Sequence, residues 1–199
     1  MNREAWDERY ATEELLWKAD PNRFLVEEAD GLEPARALDV ACGEGRNAVW
    51  LASKGWRVTG VDFSHTGLAK AERLAAERGV EVTWVEADVV EWQPPPASFD
   101  LVIVMYLHMV PGQRRQVLAT AALALAPGGT VLVVGHDISN LQEGTGGPQD
   151  PGILFSPEDI VEDLPGLQIA KAERVKRTVV VDAVEITAID ALVRAARPR

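Results

Sequence analysis

Two glycines one residue apart, Gly43 and Gly45, close a short apolar run, Ala37-Leu38-Asp39-Val40-Ala41-Cys42. Glycine has no side chain and tolerates positive φ, so the backbone there can pass close beneath a ligand. A helix is expected to start at Arg46 and run through Val49, Trp50 and Leu51, and its first turn offers free N–H groups and a partial positive charge. This is the chemistry of a nucleotide or nucleoside cradle. Gly43-x-Gly45-x-x-Ala48 fits the dinucleotide pattern, and Asp62 ends the next expected strand at about the spacing of a ribose-binding acid. Asp39 argues for a different ligand. An acid inside that strand end would repel a pyrophosphate on the turn and suits a ligand with an amino cation and a sulfonium. Further along, His108 and the pair His136-Asp137 each follow an expected strand end, as candidate bases or acceptor-pocket residues. His108, His136 and Asp137 lack ligand spacing, so the case for a metal is weak and none is expected.

Alternating strands and helices must position these groups. Residues 3–18 place Trp6, Tyr10, Leu15 and Trp17 among charges, which reads as a helix. A second helix is expected over Pro21 to Ala29, with Asp20 as N-cap and Pro21 at its first position. Strands are expected at about 36–41, at 56–61 ending on Asp62, at 80–85, at 99–104 and at 130–135. Helices are expected at about 45–54, after Ser64 with the stripe Leu68, Ala69, Ala71, Leu74 and Ala75, and at 111–126. Pro94-Pro95-Pro96 breaks the segment before Phe99. Such alternation builds a parallel sheet with right-handed crossovers. A polar loop, 139–152, follows the fifth strand; its length suits a lid on the acceptor side, with Gly144, Gly146 and Gly147 as hinges. Ser156 then caps a short helix, and two extended segments, about 167–177 and 179–194, make an antiparallel hairpin turning near Val181-Asp182.

At 199 residues the chain is long enough for one α/β unit with a full core. The net charge of −11 argues against a nucleic-acid substrate. The basic clusters Arg114-Arg115 and Lys171 to Arg177 read as solvated faces. The single cysteine, Cys42, excludes an intrachain disulfide and reads as a small buried residue in a reducing, cytoplasmic compartment. A charged N-terminus is not a signal peptide. The uncharged run Val117 to Gly135 is long enough to suggest a membrane span, but Pro127-Gly128-Gly129 cuts it into helix, turn and strand. Trp50, Trp56, Trp84 and Trp92 fit core or interface equally.

The run Leu38-Asp39-Val40-Ala41-Cys42-Gly43-Glu44-Gly45 resembles the first motif of the class I S-adenosylmethionine-dependent methyltransferases. The resemblance covers roughly 35–194, and the hairpin ending agrees with it. It implies an α/β, Rossmann-like doubly wound sheet of strand order 3-2-1-4-5-7-6, strand 7 antiparallel, with α-helices on both faces. Residues 1–34 would then be an N-terminal helical cap and 35–199 the cofactor-binding domain, one globular unit. By the same resemblance, Gly43 and Gly45 pass under the methionine and ribose of the cofactor, and Asp39 binds near its amino group. Asp62 accepts from both ribose hydroxyls, one per carboxylate oxygen. Phe63 packs on adenine, Asp88 accepts from the adenine amino group, and Val89 adds apolar packing and a backbone N–H. Met105 and Tyr106 hold the methionine end, and Arg46 neutralises the cofactor carboxylate.

Trp6-Asp7-Glu8-Arg9-Tyr10, taken with Gly43-Glu44-Gly45-Arg46-Asn47-Ala48, is similar to the small bacterial tellurite-resistance and thiopurine methyltransferase-like group, whose N-terminal helix folds over the cofactor. Trp6 and Tyr10 are four apart and share a helix face, where aromatics gain cation–π attraction to a sulfonium. The expected activity is methyl transfer from S-adenosylmethionine to a small-molecule acceptor by in-line displacement, in a monomer or homodimer. The alternatives are an NAD(P)-dependent oxidoreductase, disfavoured by Asp39 and the hairpin, and a non-enzymatic cofactor-binding domain of the same fold. After the fourth strand the chain reads Met105-Tyr106-Leu107-His108, not the Asn-Pro-Pro-Tyr type of amino-methylating DNA enzymes.

Overall fold

The computed structural model describes residues 2–199 apart from Glu13, Trp17, Asp182 and Ala183. Seven strands form one sheet: β1 (Arg36–Val40), β2 (Arg57–Asp62), β3 (Thr83–Glu86), β4 (Phe99–Met105), β5 (Leu125–His136), β6 (Gln168–Val181) and β7 (Val184–Ala196). Their order is β3-β2-β1-β4-β5-β7-β6. The first five pair in parallel, and β7 runs antiparallel to both β5 and β6. The helices are α1 (Arg3–Tyr10), α2 (Arg23–Ala29), α3 (Arg46–Ser53), α4 (His65–Glu77), α5 (Pro111–Ala124), α6 (Asn140–Glu143) and α7 (Pro157–Glu162).

Side chains alternate across a strand, so a strand covered on both sides is apolar throughout. In β4, Leu101 and Ile103 pack with Phe24 and Leu25 of α2 and with Ala48 and Leu51 of α3. Val102 and Val104 pack on the opposite face with Val117 and Leu118 of α5 and Ile160 of α7. Trp56 lies in the first of these cores, with Trp50 and Trp84 packed against it, while Trp92 packs against the second. These four tryptophans therefore serve the interior.

Several expectations from the sequence are corrected. α1 ends at Tyr10, not near residue 18, and Leu15 lies beyond it; Trp17 lies outside the described residues. α2 starts at Arg23 because Asn22, rather than Asp20, caps it: Asn22 Oδ1 accepts the Phe24 N–H at 2.9 Å, and its own N–H is held by Asn47 Oδ1 at 2.9 Å. As the triple proline leads one to expect, 87–98 is turns and no helix joins β3 to β4. β5 begins at Leu125, and Pro127-Gly128-Gly129 is a bulge inside its pairing with β4, where Phe99↔Leu125 is followed by Leu101↔Thr130. The hairpin is antiparallel as expected; Asp182, where with Val181 its turn is expected, lies outside the described residues. β5 pairs with β7 only from Thr130 to His136, while β6 and β7 stay paired out to Val181↔Val184, so the hairpin runs on past the carboxyl end of β5.

Candidate functional site

β1 delivers Asp39, 1 % exposed, to the foot of the glycine turn. Its Oδ2 is buried with no hydrogen-bond partner. Burial first, then the neighbouring Asp62 charge, raises this carboxyl from 3.8 to about 8. An orphaned buried acid oxygen beside a glycine turn fits an incoming cationic donor.

The turn itself is built by Asp62 at the end of β2. Its Oδ2 accepts the Gly43 N–H at 2.8 Å and its Oδ1 the Ser64 N–H at 2.9 Å. Burial raises this carboxyl, and those N–H groups pull the other way. Each oxygen keeps a further lone pair for a ligand hydroxyl. Gly43 and Gly45 have φ of 55° and 77°. A Cβ on Gly45 would stand 2.6 Å from Ala71 Cβ and 2.7 Å from the Trp84 ring. Left-handed strain and that crowding together should make Gly45→Ala cost at least ~2 kcal/mol, read as a lower urea midpoint at unchanged slope. Cys42 directs its sulfur at Gly60, and burial pushes the thiol up, so it is no nucleophile.

The N-terminal segment lies across this turn. Asp7 Oδ1 accepts from Ser64 Oγ at 2.5 Å and from the Thr66 N–H at 3.1 Å, at the start of α4. Tyr10 is buried, with its hydroxyl at Gly43 and its ring at Gly67, and Trp6 stacks on it at 5.4 Å. A buried ion pair, Lys70 Nζ to Glu44 Oε1 at 2.9 Å, ties down the chain that follows. Lys70 also donates to the Glu14 carbonyl at 2.7 Å, and Glu44 accepts the Leu16 N–H at 3.0 Å.

Arg46 opens α3 half-buried; burial lowers its pKa, with Tyr106, Asp39 and Arg177 close enough to act on it electrostatically. Phe63 is half-buried after β2. Asp88 is exposed after β3, where its Oδ1 accepts the Val90 N–H at 2.9 Å, and Val89 is buried. Met105 is buried at the end of β4, and Tyr106 beyond it has a φ of 57°.

A second cluster sits where β4 and β5 end. The His136 and His108 rings stack at 5.2 Å, His108 stacks on Phe155 at 5.8 Å, and Tyr106 meets His136 edge-on at 5.1 Å. Asp190 of β7, fully buried, pairs in register with His136. Burial raises its carboxyl, but His136, Arg177 and Tyr106 hold it below the ordinary value. Asp137 is occupied elsewhere: its Oδ1 accepts from Ser139 N–H and Oγ at 2.8 and 2.6 Å and from Arg174 Nε at 3.0 Å. Asn140 fixes the loop behind this cluster, accepting the Ile189 N–H at 2.8 Å and donating to the carbonyls of Thr145 and Gly146 at 3.1 and 2.9 Å.

The basic clusters are solvated faces only in part: Arg115, Arg174 and Lys176 are exposed. Arg114 is buried and paired with Asp163 at 2.7 Å, and Arg174 and Arg177 pair with Asp137 and Asp190. A broad open groove of about 840 Å³ lies at the opposite ends of the strands, near Arg36, Arg57, Thr83 and Phe99. Ligands of open α/β sheets bind at the carboxyl ends, where the acids, glycines and histidines converge. Asp190 and Lys70, and the ion pairs they make with Arg177 and Glu44, escaped the sequence reading. A lone acid inside the apolar stretch Ile189-Asp190-Ala191-Leu192 was the available signal for the first of these.

Residues 37–129 match the model of a methyltransferase domain family. A demethylmenaquinone methyltransferase of Thermus thermophilus is 33 % identical over 123 residues, 61 % of this chain and 54 % of that protein. A ubiquinone biosynthesis O-methyltransferase of Cronobacter sakazakii is 39 % identical over 120 residues, 58 % of this chain and 49 % of that protein. The chain spans about half the length of these curated relatives. The crystal structure of the N-methyltransferase NodS from Bradyrhizobium japonicum, in complex with S-adenosyl-L-homocysteine, superposes with TM-score 0.75 at 19 % identity, covering 99 % of this chain and 98 % of that one. TehB from Haemophilus influenzae gives 0.74 at 15 % identity, covering 98 % and 66 %. The chain thus shares the seven-stranded fold of these two structures, and residues 37–129 are similar to a methyltransferase domain. The antiparallel β7 departs from the parallel continuation that the dinucleotide reading required. Among the described residues, no helix is long and apolar enough to cross a membrane.

Proposed function

We propose that this chain binds S-adenosylmethionine at the glycine turn and transfers its methyl group to a small-molecule acceptor. The observation that carries the reading is the buried, unpartnered Asp39 Oδ2 at the foot of that turn, which suits the cofactor's amino cation. Gly43 and Gly45 give the close backbone approach, and Asp62 receives the ribose hydroxyls. Arg46 faces the carboxylate, while Met105 and Tyr106 flank the methionine end. Phe63, Asp88 and Val89 line the adenine side. Trp6 and Tyr10 belong to an N-terminal cap, residues 1–34, closing over the remainder of the chain. His108, His136 and Asp137 stand on the acceptor side. The bound cofactor supplies an activated methyl group, so the protein's part is to orient both reactants and exclude water. The negative charge and single cysteine suit a cytoplasmic enzyme, monomeric or homodimeric, that acts on no nucleic acid.

Calorimetric titration with S-adenosylhomocysteine, with NAD as control, tests this. Saturable binding of the first and none of the second is expected. Asp62→Ala should weaken it ten- to a hundredfold, the loss of one or two charged hydrogen bonds. Binding of NAD alone would return the oxidoreductase. Binding without transfer to any acceptor would leave a non-enzymatic domain.

A further inference from the structure

The cluster where β4 and β5 end contains a carboxylate that no local motif announces. Asp190 Oδ2 accepts from Tyr106 OH at 2.8 Å and from Arg177 Nε at 2.7 Å. Its Oδ1 lies 3.1 Å from His136 Nδ1. The two atoms are close without being aligned as a hydrogen bond, and neither has another partner. This spacing selects a tautomer. With the proton on Nδ1, the contact is an N–H facing a carboxylate. With the proton on Nε2, two lone pairs would face each other across 3.1 Å in a buried place. Asp190 therefore keeps a proton on Nδ1, and in the uncharged ring the lone pair falls on Nε2.

His108 is committed otherwise. Its Nε2 accepts the His136 backbone N–H at 3.0 Å. Burial, then the adjacent His136, push its pKa down to about 4, against a hydrogen bond to the Tyr106 backbone that works the other way. Near neutral pH it is an uncharged ring with no lone pair to offer. Gly147, φ 77°, packs against the His136 ring, where a Cβ would stand 2.7 Å from Nε2.

We propose that His136, oriented by Asp190, is the base that removes the acceptor's proton, and that the acceptor is a hydroxyl compound. This rests on the methyltransferase reading above. A thiol is partly ionised near neutrality and an amine attacks through its own lone pair, whereas a hydroxyl must lose its proton as the new bond forms. The acceptor oxygen bonds to the methyl carbon while the S–C electron pair returns to sulfur. The hydroxyl proton passes to His136 Nε2, the imidazolium is stabilised by Asp190, and the proton then leaves to water. Asp190 is a positioning residue.

The test uses the full chain, methyl-labelled S-adenosylmethionine, catechol as acceptor and aniline as the amine control. Label should pass to catechol and not to aniline. His136→Ala should lower kcat on catechol about a hundredfold or more with S-adenosylhomocysteine affinity unchanged, and free imidazole should restore part of the rate. Nitrogen-15 spectra of histidine-labelled protein should place the His136 proton on Nδ1 in the wild type and shift it toward Nε2 in Asp190→Asn. An Nε2–H tautomer in the wild type, a retained rate in His136→Ala, no recovery with imidazole, or no label on catechol overturns the inference. Loss of S-adenosylhomocysteine binding by the wild type would instead overturn the methyltransferase reading.

Discussion

Asp39→Asn is expected to stabilise the cofactor-free chain at pH 8 and to cost it most of its affinity for S-adenosylhomocysteine. The folded carboxyl titrates at about 8 against an ordinary 3.8, because burial and the Asp62 charge both oppose its ionisation. Between those values the folded chain holds a proton that the unfolded chain has released. Folding then takes up a proton, and stability falls as pH rises. This contribution is intact below about pH 4 and is lost progressively up to about 8, in total on the order of 5 kcal/mol. Asparagine imitates the protonated acid and does not titrate. Urea midpoints of the two proteins should therefore converge near pH 4 and separate at pH 8, with the variant higher. Binding runs the opposite way. An amino cation needs the ionised acid, so the wild-type complex should release a proton on forming at pH 7, with affinity rising up to tenfold per unit between pH 6 and 8. The variant, left without that charge, should bind about a hundredfold more weakly or worse, some 3 kcal/mol. A variant that gains no stability at pH 8, or binds as tightly as the wild type, would show that Asp39 is not the buried acid awaiting a cation.

Sequence periodicity served the parallel core well and its ends less well. Fully apolar runs such as Leu101 to Val104 identified a sheet covered on both faces, and Gly43-Glu44-Gly45 after Asp39 marked the turn at the carboxyl end of β1. Boundaries failed where a side chain distant in sequence decides them. Asn47 holds Asn22 in place to cap α2, and Lys70 captures the chain beyond Tyr10 and so helps end α1. The charges were misread for the same reason. Arg114 sits at an unremarkable helix position until Asp163, 49 residues on, meets it in the interior. Asp190 reaches His136 only through the β5–β7 register, which depends on where an antiparallel hairpin settles. Local pattern reveals what a residue's neighbours in the chain impose. It says little about which charges the fold will bring together.

Lys70→Met is expected to destabilise the protein by about 3–5 kcal/mol, the usual consequence of removing one partner from a buried ion pair. Lys70 and Glu44 are 3 % and 2 % exposed, and together they join three elements: the glycine turn, α4 and the N-terminal segment at Glu14 and Leu16. Methionine fills nearly the same volume but leaves the Glu44 carboxylate buried without its ammonium. Adding Glu44→Gln should recover most of the loss, since a neutral amide still accepts the Leu16 N–H. The segment itself should loosen in both variants. The Glu14 carbonyl has lost its donor in each, so the Leu16 amide should exchange with deuterium faster than the sheet does. Because that same segment carries Tyr10 across Gly43, S-adenosylhomocysteine affinity should fall about tenfold or more even in the double variant, whose overall stability is largely restored. That separation is the point of the pair of measurements. If affinity recovers together with stability, the ion pair matters only for folding. If affinity stays low while the urea midpoint recovers, Lys70 is what keeps the N-terminal segment closed over the glycine turn.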